Sequence, residues 1–191
     1  MKYILSTITL LVSIAIFAQK PCDFSTNVVD SIGSYKTTKE YLIYEKNFAD
    51  NSTYLFGSFV LSDATALFNI QLIEKSTNFI KARCFESNSK IYIQLLNNKI
   101  ITLTHTNEES CGTLLRDDKG FNNRILSGYF SINKADYDVL RQSPVSFIRI
   151  KFATDVNDFI FRKEFKSELN GEIYQPESYF MDYLHCLEVK N

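Results

Sequence analysis

Short apolar runs separated by turn residues dominate the chain from residue 41 to residue 165. The runs are rich in Ile, Phe, Tyr, Leu, Val and Thr, and Asn, Asp, Ser and Gly lie between them. This composition is typical of strands and turns, and the short connections favour antiparallel hairpins over helical crossovers. The pattern predicts strands at 40–46, 54–61, 66–75, 78–85, 90–96, 99–105, 125–132, 145–153 and 158–165.

The clearest hairpin in this pattern surrounds the Asn-Asn dipeptide at 97–98. Asparagine tolerates the positive φ that a two-residue primed turn requires, so we expect the dipeptide to form the turn. In that register Gln94 faces Ile101, and Tyr92 faces Leu103. Both faces of the ribbon then carry large apolar side chains, which predicts that it is covered on both sides or lies in a strongly curved sheet.

Two segments have helical patterns instead. The first, 133–142, begins with Asn133 as the predicted N-cap and is followed by Pro144. The second, 176–188, has an apolar stripe at helical spacing, formed by Phe180, Tyr183, Leu184 and Leu187. The predicted fold class is α+β and β-rich: an antiparallel meander sheet with a short helix near 133–142 and an amphipathic C-terminal helix packed on the sheet. A mostly-β sandwich or an open barrel is the alternative.

The first residues have the pattern of a secretory signal peptide. Lys2 precedes an apolar stretch that ends in the small residue Ala18. The stretch is shorter than the roughly 20 apolar residues that a membrane-spanning helix needs. We therefore predict a signal peptide at 1–18 and a single globular domain at 19–191. The mature chain, without a transmembrane segment, is expected in the periplasm or outside the cell.

Charge and cysteine content narrow the function classes. The chain has 21 basic and 22 acidic side chains, so no excess of positive charge is available to neutralise a nucleic-acid backbone. The four cysteines, Cys22, Cys84, Cys111 and Cys186, all follow the predicted cleavage site. An even number of cysteines in an exported protein favours disulfides, so we predict an oxidised protein without a nucleic-acid partner.

The predicted strand order selects a pairing for these cysteines. In an antiparallel meander between residues 78 and 105, the first and third strands end at the same edge, about 10 Å apart. The six residues that follow can fold back across this gap, so Cys84 with Cys111 is the preferred disulfide. Cys22 with Cys186 follows by elimination and would tie the N-terminal segment to the last helix.

Cys84, His105 and Cys111 also suggest a metal or nucleophile site. Zinc sites usually have paired ligands at tight spacing, such as Cys-x-x-Cys or His-x-x-x-His, and the chain contains neither. His185 beside Cys186 is more typical of a helix surface, since adjacent helical residues point about 100° apart. We therefore assign no catalytic, metal or cofactor-binding residue.

Charged residues in two regions are the remaining candidates. Acidic side chains occur in the predicted loops 106–124 and 155–158, of which 114–124 is predicted to be a mobile polar loop. Two convergent carboxylates about 5–10 Å apart would suit glycoside hydrolysis. Arg149 and Lys151 share one face of a predicted strand and could bind an anion, although a solvated outer face is the commoner role of such a pair.

Several segments form a combined pattern along the chain. They are the signal that ends in Phe-Ala-Gln, the Cys84 strand with the Asn-turn hairpin after it, Thr-His-Thr before Cys111, the segment FSINKADYDVLRQSPVSFIRIKF, and the final SYFMDYLHCL. Together they resemble the uncharacterised small exported proteins of Bacteroidota. The resemblance covers most of the mature chain and implies export and disulfides, but no activity.

These observations predict an exported, non-catalytic binding or interaction module for an unknown protein or small ligand, with no cofactor. No Gly-x-Ser-x-Gly elbow, His-Glu-x-x-His motif or phosphate-binding glycine loop is present, so enzymatic activity is not the expectation. The 11 Tyr and 16 Phe mostly serve a β-rich core, and tyrosines left outside it could line a binding face, as they do in many recognition surfaces. The alternative is a secreted hydrolase that uses loop carboxylates. A weaker alternative is an inhibitor or immunity-type partner protein.

Overall fold

The structure, a computed structural model, describes residues 20–31, 33–106 and 109–188, so the predicted signal peptide lies outside the described residues. Within these ranges the strands are β1 (Phe24–Val29), β2 (Ser34–Thr38), β3 (Tyr41–Phe48), β4 (Asn51–Ser62), β5 (Thr65–Ser76), β6 (Cys84–Phe85), β7 (Lys90–Leu95), β8 (Ile100–His105), β9 (Ser110–Cys111), β10 (Thr113–Arg116), β11 (Asn122–Ser131), β12 (Val145–Lys151), β13 (Val156–Ile160), β14 (Phe165–Lys166) and β15 (Ile173–Tyr174). The helices are α1 (Tyr137–Gln142) and α2 (Tyr179–Tyr183), with 3-10 turns at Lys134–Asp136, Pro176–Ser178 and Leu184–Leu187. No helix among the described residues has the length and apolar character to cross a membrane.

One open antiparallel sheet contains eleven of these strands. Its order is β1-β2-β4-β5-β11-β8-β7-β12-β13, with β3 also paired to β4 and β10 to β11. Two small sheets, β14-β15 and β6-β9, complete the strands. The β-rich α+β class, the antiparallel sheet and the two short helices are therefore confirmed. The order is less simple than a meander, because β11 lies between β5 and β8, and β12 pairs with β7.

Alternation along the strands buries one face of the sheet. In β7 the side chains of Ile91, Ile93 and Leu95 are buried, and those between them are half-buried. The C-terminal segment covers part of the buried face, where the ring of Phe180 lies 5.1 Å from that of Phe68 in β5. The C-terminal segment therefore belongs to the same hydrophobic core as the sheet. Burial of these apolar side chains is the main favourable contribution to the free energy of folding.

Both predicted helices are present, but both are shorter than the sequence pattern indicates. Asn133 caps the first as predicted, since its side-chain oxygen accepts a hydrogen bond from the backbone N–H of Ala135 at 3.0 Å. In the second, only α2 is α-helical, and the chain tightens into a 3-10 turn from Leu184 onward. The predicted apolar stripe nevertheless faces the core, because Phe180, Leu184 and Leu187 are buried.

The predicted register of the β7–β8 hairpin is wrong by one residue. Gln94 pairs with Ile100 rather than with Ile101, because the turn contains three residues and Asn98 alone has a positive φ, of 66°. The turn is held by another part of the chain: Leu96 N–H donates to the Pro144 carbonyl at 2.9 Å. A one-residue shift moves every side chain to the other face, so the hairpin has one buried face and one open face.

The predicted strand 78–85 is also largely wrong, since only β6 is extended and paired there. Arginine side chains replace the missing ladder hydrogen bonds: Arg124 donates to the carbonyl of Ile80 at 2.9 Å. Arg83 forms ion pairs with Glu74 and, at 2.8 Å, with Asp155. The predicted loop 114–124 is instead partly regular, because β10 pairs with the start of β11.

Candidate functional site

The open face of four neighbouring strands forms the broadest candidate site, which we call the outer face. Strands β8, β7, β12 and β13 lie side by side, and each contributes three outward positions. The cross-strand rows are Ile100, Gln94, Phe147 and Ile160; then Thr102, Tyr92, Arg149 and Asp158; then Thr104, Lys90, Lys151 and Val156. With strands about 4.8 Å apart and outward residues about 6.8 Å apart, this grid covers about 400 Å².

A shallow groove of about 460 Å³ runs over this face and is mostly apolar. Its walls include Tyr92, Phe147, Ile100 and Val156. Ile100 is 59% exposed and Val156 is 53% exposed, although both extend from regular strands. Contiguous exposed apolar side chains with polar neighbours mark interaction sites more often than isolated ones do.

Positive charge lies in the middle and at one end of the outer face. Lys90 and Lys151 are directly opposite each other on β7 and β12. Arg149 forms a bidentate ion pair with Asp158, and both N–O distances are 2.7 Å. The hydrogen bond from Arg149 lowers the pKa of the Asp158 carboxyl. The guanidinium also lies 5.9 Å from the centre of the Phe147 ring. The face therefore presents three cations and one carboxylate around an apolar groove.

Three of the loop carboxylates proposed for hydrolysis form ion pairs. Asp117 binds Lys75 at 2.6 Å, and this hydrogen bond, with those from the Phe121 N–H and Asn123, lowers its pKa to about 2. Asp155 is paired with Arg83, while Asp158 is paired with Arg149 on the outer face. Each of these three acids is bound to its own cation, so each contributes an ion pair to the fold.

The predicted Cys84–Cys111 disulfide is present, but in a different setting from the expected meander. The two cysteines are directly opposite each other in the small β6-β9 sheet. His105 is not part of that site: within the described residues, the ligand-type atom that clusters with the two sulfurs belongs to Glu109. The predicted bond is therefore present, and the structure places His105 outside it.

His105 lies in the aromatic core instead. It is 8% exposed, and its ring is 5.4 Å from that of Phe85 and 5.2 Å from that of Phe130. Among the described residues, neither ring nitrogen makes a well-formed hydrogen bond. Burial lowers the pKa of the imidazole, and the backbone of Glu86 offsets this only in part.

The pH dependence of stability should report this burial. The folded protein resists protonating His105, whereas the unfolded chain takes up a proton near its ordinary pKa of about 6.5. The unfolded state then binds more protons, so the free energy of unfolding should fall as the pH decreases below that value. Urea unfolding at pH 7.5 and pH 5.5 measures this, with His105→Leu as the comparison. An equal pH effect in both proteins would contradict the assignment.

The second predicted disulfide, Cys22–Cys186, is also present. His185 contacts it, since Nε2 lies 3.2 Å from the Cys22 sulfur and 3.8 Å from the Cys186 sulfur. The prediction of a helix-surface role for His185 is therefore wrong. A 3-10 turn rather than an α-helix places the imidazole and the neighbouring sulfur together. The two disulfides indicate an oxidising compartment.

A narrow cavity of about 150 Å³ lies between the N-terminal segment and the C-terminal turns. Its aromatic walls are Tyr41, Tyr179 and Tyr183, and burial raises the pKa of each hydroxyl. Lys20 lies over the Tyr183 ring and forms an ion pair with Asp182 at 2.9 Å. These contacts fasten the N-terminal segment to the C-terminal turns beside the disulfide.

Comparison with known proteins gives no significant match to a protein-family model, a curated protein or a solved structure.

Only part of the outer face was predictable from the sequence. The pattern predicted Arg149 and Lys151 on one strand face, but not Lys90, Tyr92 and Phe147 as their neighbours. The missed signal was the strict alternation of buried and half-buried residues along β7. Combined with a three-residue turn between β7 and β8, that alternation would have identified the open face from the sequence.

Proposed function

We propose that this protein is an exported, non-catalytic binding module whose outer face binds an acidic segment of a partner protein. The observation that supports this best is the facing pair Lys90 and Lys151. Like charges directly opposite each other destabilise a sheet, and within the described part of the chain no carboxylate forms an ion pair with either lysine. The described part of the fold supplies no opposite charge for this pair, which supports an acidic ligand.

The neighbours of the two lysines support a protein segment as the ligand. Tyr92 and Phe147 offer apolar area beside the cations, and aromatic residues with arginine are typical of interface cores. The grid of about 400 Å² is wider than a small ligand would cover. It approaches the contribution of one partner to a weak, transient protein interface, which buries less than about 1,200 Å² in total.

Export supports a role in recognition outside the cytoplasm. The proposal combines the predicted signal peptide with the two disulfides, which require an oxidising compartment. It places the mature protein in the periplasm or outside the cell. N-terminal sequencing of the exported protein should then begin at Gln19, whereas an intact Met1 in that fraction would contradict cleavage after Ala18.

Selection of phage-displayed random peptides against the mature protein should test the ligand class. We expect enrichment of peptides that combine acidic residues with an apolar or aromatic residue. Lys151→Glu should weaken their binding at least tenfold, or about 1.4 kcal/mol, because it opposes like charges across the interface. Titration by fluorescence anisotropy measures the Kd.

The same variant separates binding from folding. Glutamate at position 151 would face Lys90 as an opposite charge, so Lys151→Glu should raise the free energy of unfolding by about 0.2–1 kcal/mol while it weakens binding. Lys46→Glu, an equal charge change at an exposed position of β3, is the control and should leave the Kd unchanged. Selection of basic peptides, or equal loss of affinity in both variants, would contradict the proposal.

The two other hypotheses are a secreted hydrolase and an inhibitor or immunity-type partner protein. The secreted hydrolase gains no support from Asp117, Asp155 or Asp158, since each of these three acids is ion-paired. An inhibitor or immunity-type partner would use the same outer face. A selected peptide that matches an acidic loop at the active site of an exported enzyme, and inhibition of that enzyme by this protein, would favour it.

A further inference from the structure

The Cys22–Cys186 disulfide has a histidine positioned to take part in its chemistry. The bond joins the segment before β1 to the 3-10 turn Leu184–Leu187. Nε2 of His185 lies 3.2 Å from one sulfur and 3.8 Å from the other, so a single nitrogen reaches both. Cys22 is half-buried, whereas Cys186 is only 6% exposed. An external reagent therefore meets the Cys22 sulfur first.

The other disulfide has the opposite electrostatic setting. The Cys111 sulfur of the Cys84–Cys111 bond has the carboxylate of Glu109 as its neighbour, with an Sγ–Oε1 distance of 4.0 Å. A carboxylate repels an approaching thiolate and disfavours a leaving one, whereas an imidazolium stabilises both. The two disulfides of this chain therefore differ in their electrostatic setting, and Cys84–Cys111 is the internal reference for the reactivity of Cys22–Cys186.

We propose that Cys22–Cys186 is a thiol–disulfide exchange site, with a low-molecular-weight thiol as co-reactant and His185 as the acid. The thiolate attacks the Cys22 sulfur and forms a mixed disulfide there. The bond to Cys186 breaks, its electron pair goes to the Cys186 sulfur, and the protonated His185 imidazole transfers its Nε2 proton to that sulfur. One disulfide is lost and one is formed, so no further oxidant or reductant is required.

Neighbouring contacts allow this exchange to occur in the folded protein. Lys20 lies two residues before Cys22 and remains bound to Asp182 at 2.9 Å and to the Gln175 side chain at 3.0 Å. These contacts hold the N-terminal segment after the bond opens. The Cys186 thiol therefore stays close to Cys22, so its thiolate can displace the added group and restore the original bond.

Reaction of the oxidised mature protein with glutathione at fixed pH tests this inference. After alkylation and proteolysis, mass spectrometry follows each disulfide separately. Cys22–Cys186 should open at least tenfold faster than Cys84–Cys111, with glutathione attached to Cys22. His185→Gln should slow this step at least tenfold, since a positioned general acid contributes about 10²–10⁴-fold. Glu109→Gln, the matched control, should accelerate only the Cys84–Cys111 reaction.

Two further measurements keep the test decisive. Near-ultraviolet circular dichroism checks that His185→Gln is folded, and His185→Asn is the second variant if it is not. The rate of exchange should be unchanged in dilute urea, because no unfolding is required. Equal rates in the histidine variants and the wild type, glutathione on Cys186 instead of Cys22, or a rate that rises with urea would each overturn the proposal.

Discussion

Loss of the Cys22–Cys186 disulfide should lower the free energy of unfolding by about 5 kcal/mol, the largest effect that we expect from a change at two positions. The bond joins residues 164 positions apart, so it restricts almost the whole unfolded chain. The Cys84–Cys111 bond joins residues only 27 positions apart and should contribute about 3.5 kcal/mol. The longer closed loop removes more conformational entropy from the unfolded state.

Guanidinium unfolding of Cys22→Ala/Cys186→Ala and of Cys84→Ala/Cys111→Ala measures this difference. Paired alanine substitutions leave no free thiol to exchange with the remaining disulfide. Each variant lacks one cross-link, so the informative result is which of the two has the lower free energy of unfolding. A larger loss on removal of Cys84–Cys111 would show that local contacts around β6 and β9, rather than loop length, dominate.

Replacing Phe85 by alanine should destabilise the protein by about 3–5 kcal/mol. Phe85 is fully buried, stacks on Phe152 with ring centres 5.3 Å apart, and meets the edge of Phe130 at 5.2 Å. It also lies against Gly128, where an added Cβ would come within 2.6 Å of its ring. The surrounding rings and strands cannot collapse into the space, so a cavity should remain.

Phe79→Ala is the matched control, because Phe79 is 77% exposed and makes no comparable core contact. Its effect should lie within about 0.5 kcal/mol, as expected for a surface position. Urea unfolding followed by circular dichroism compares the two variants. A loss below about 1 kcal/mol for Phe85→Ala would mean that the core around β6 repacks, contrary to the close contact with Gly128.

The proposed binding face and the proposed exchange site are independent of each other. The outer face lies on β8, β7, β12 and β13, whereas the exchange site joins the N-terminal segment to the C-terminal turns. Charge changes at Lys151 should therefore leave the glutathione reaction unchanged. Failure of either experiment would leave the other proposal intact.

Much of the fold follows from local patterns. The strands β4 and β5 were visible in the sequence as apolar-rich runs: β5 alternates between buried and half-buried side chains over most of its length, and β4 is buried at consecutive positions near its end. The strands β1 and β2 were missed, since β1 is mostly exposed, β2 is mostly half-buried, and neither carries a clear hydrophobic periodicity. Such strands are fixed by pairing, of β1 with β2 and of β2 with β4, rather than by their own side chains.

Where local preference competed with tertiary contacts, the contacts decided. An Asn-Asn dipeptide suits a two-residue turn, but Ser143 and Pro144 bind the backbone of Leu96 and Asn97 and fix a three-residue turn. That single residue places Ile100 on the exposed face, whereas the pairing of β12 with β7 sets Lys90 opposite Lys151. The candidate binding face therefore could not be read from the hairpin sequence alone.

The sequence by itself determined the strand-rich class, the capped first helix and the apolar stripe of the C-terminal segment, because these depend on residue type and short-range spacing. The two disulfide pairs, which the structure contains, were predicted from the expected strand order and, for Cys22–Cys186, by elimination. Only the tertiary structure decided the position of the two histidines. His105 is buried because β8 pairs with β11 above an aromatic core, and His185 meets a sulfur that is 163 residues away in sequence. Contacts over such separations depend on the packing of the whole chain, to which local spacing gives no access.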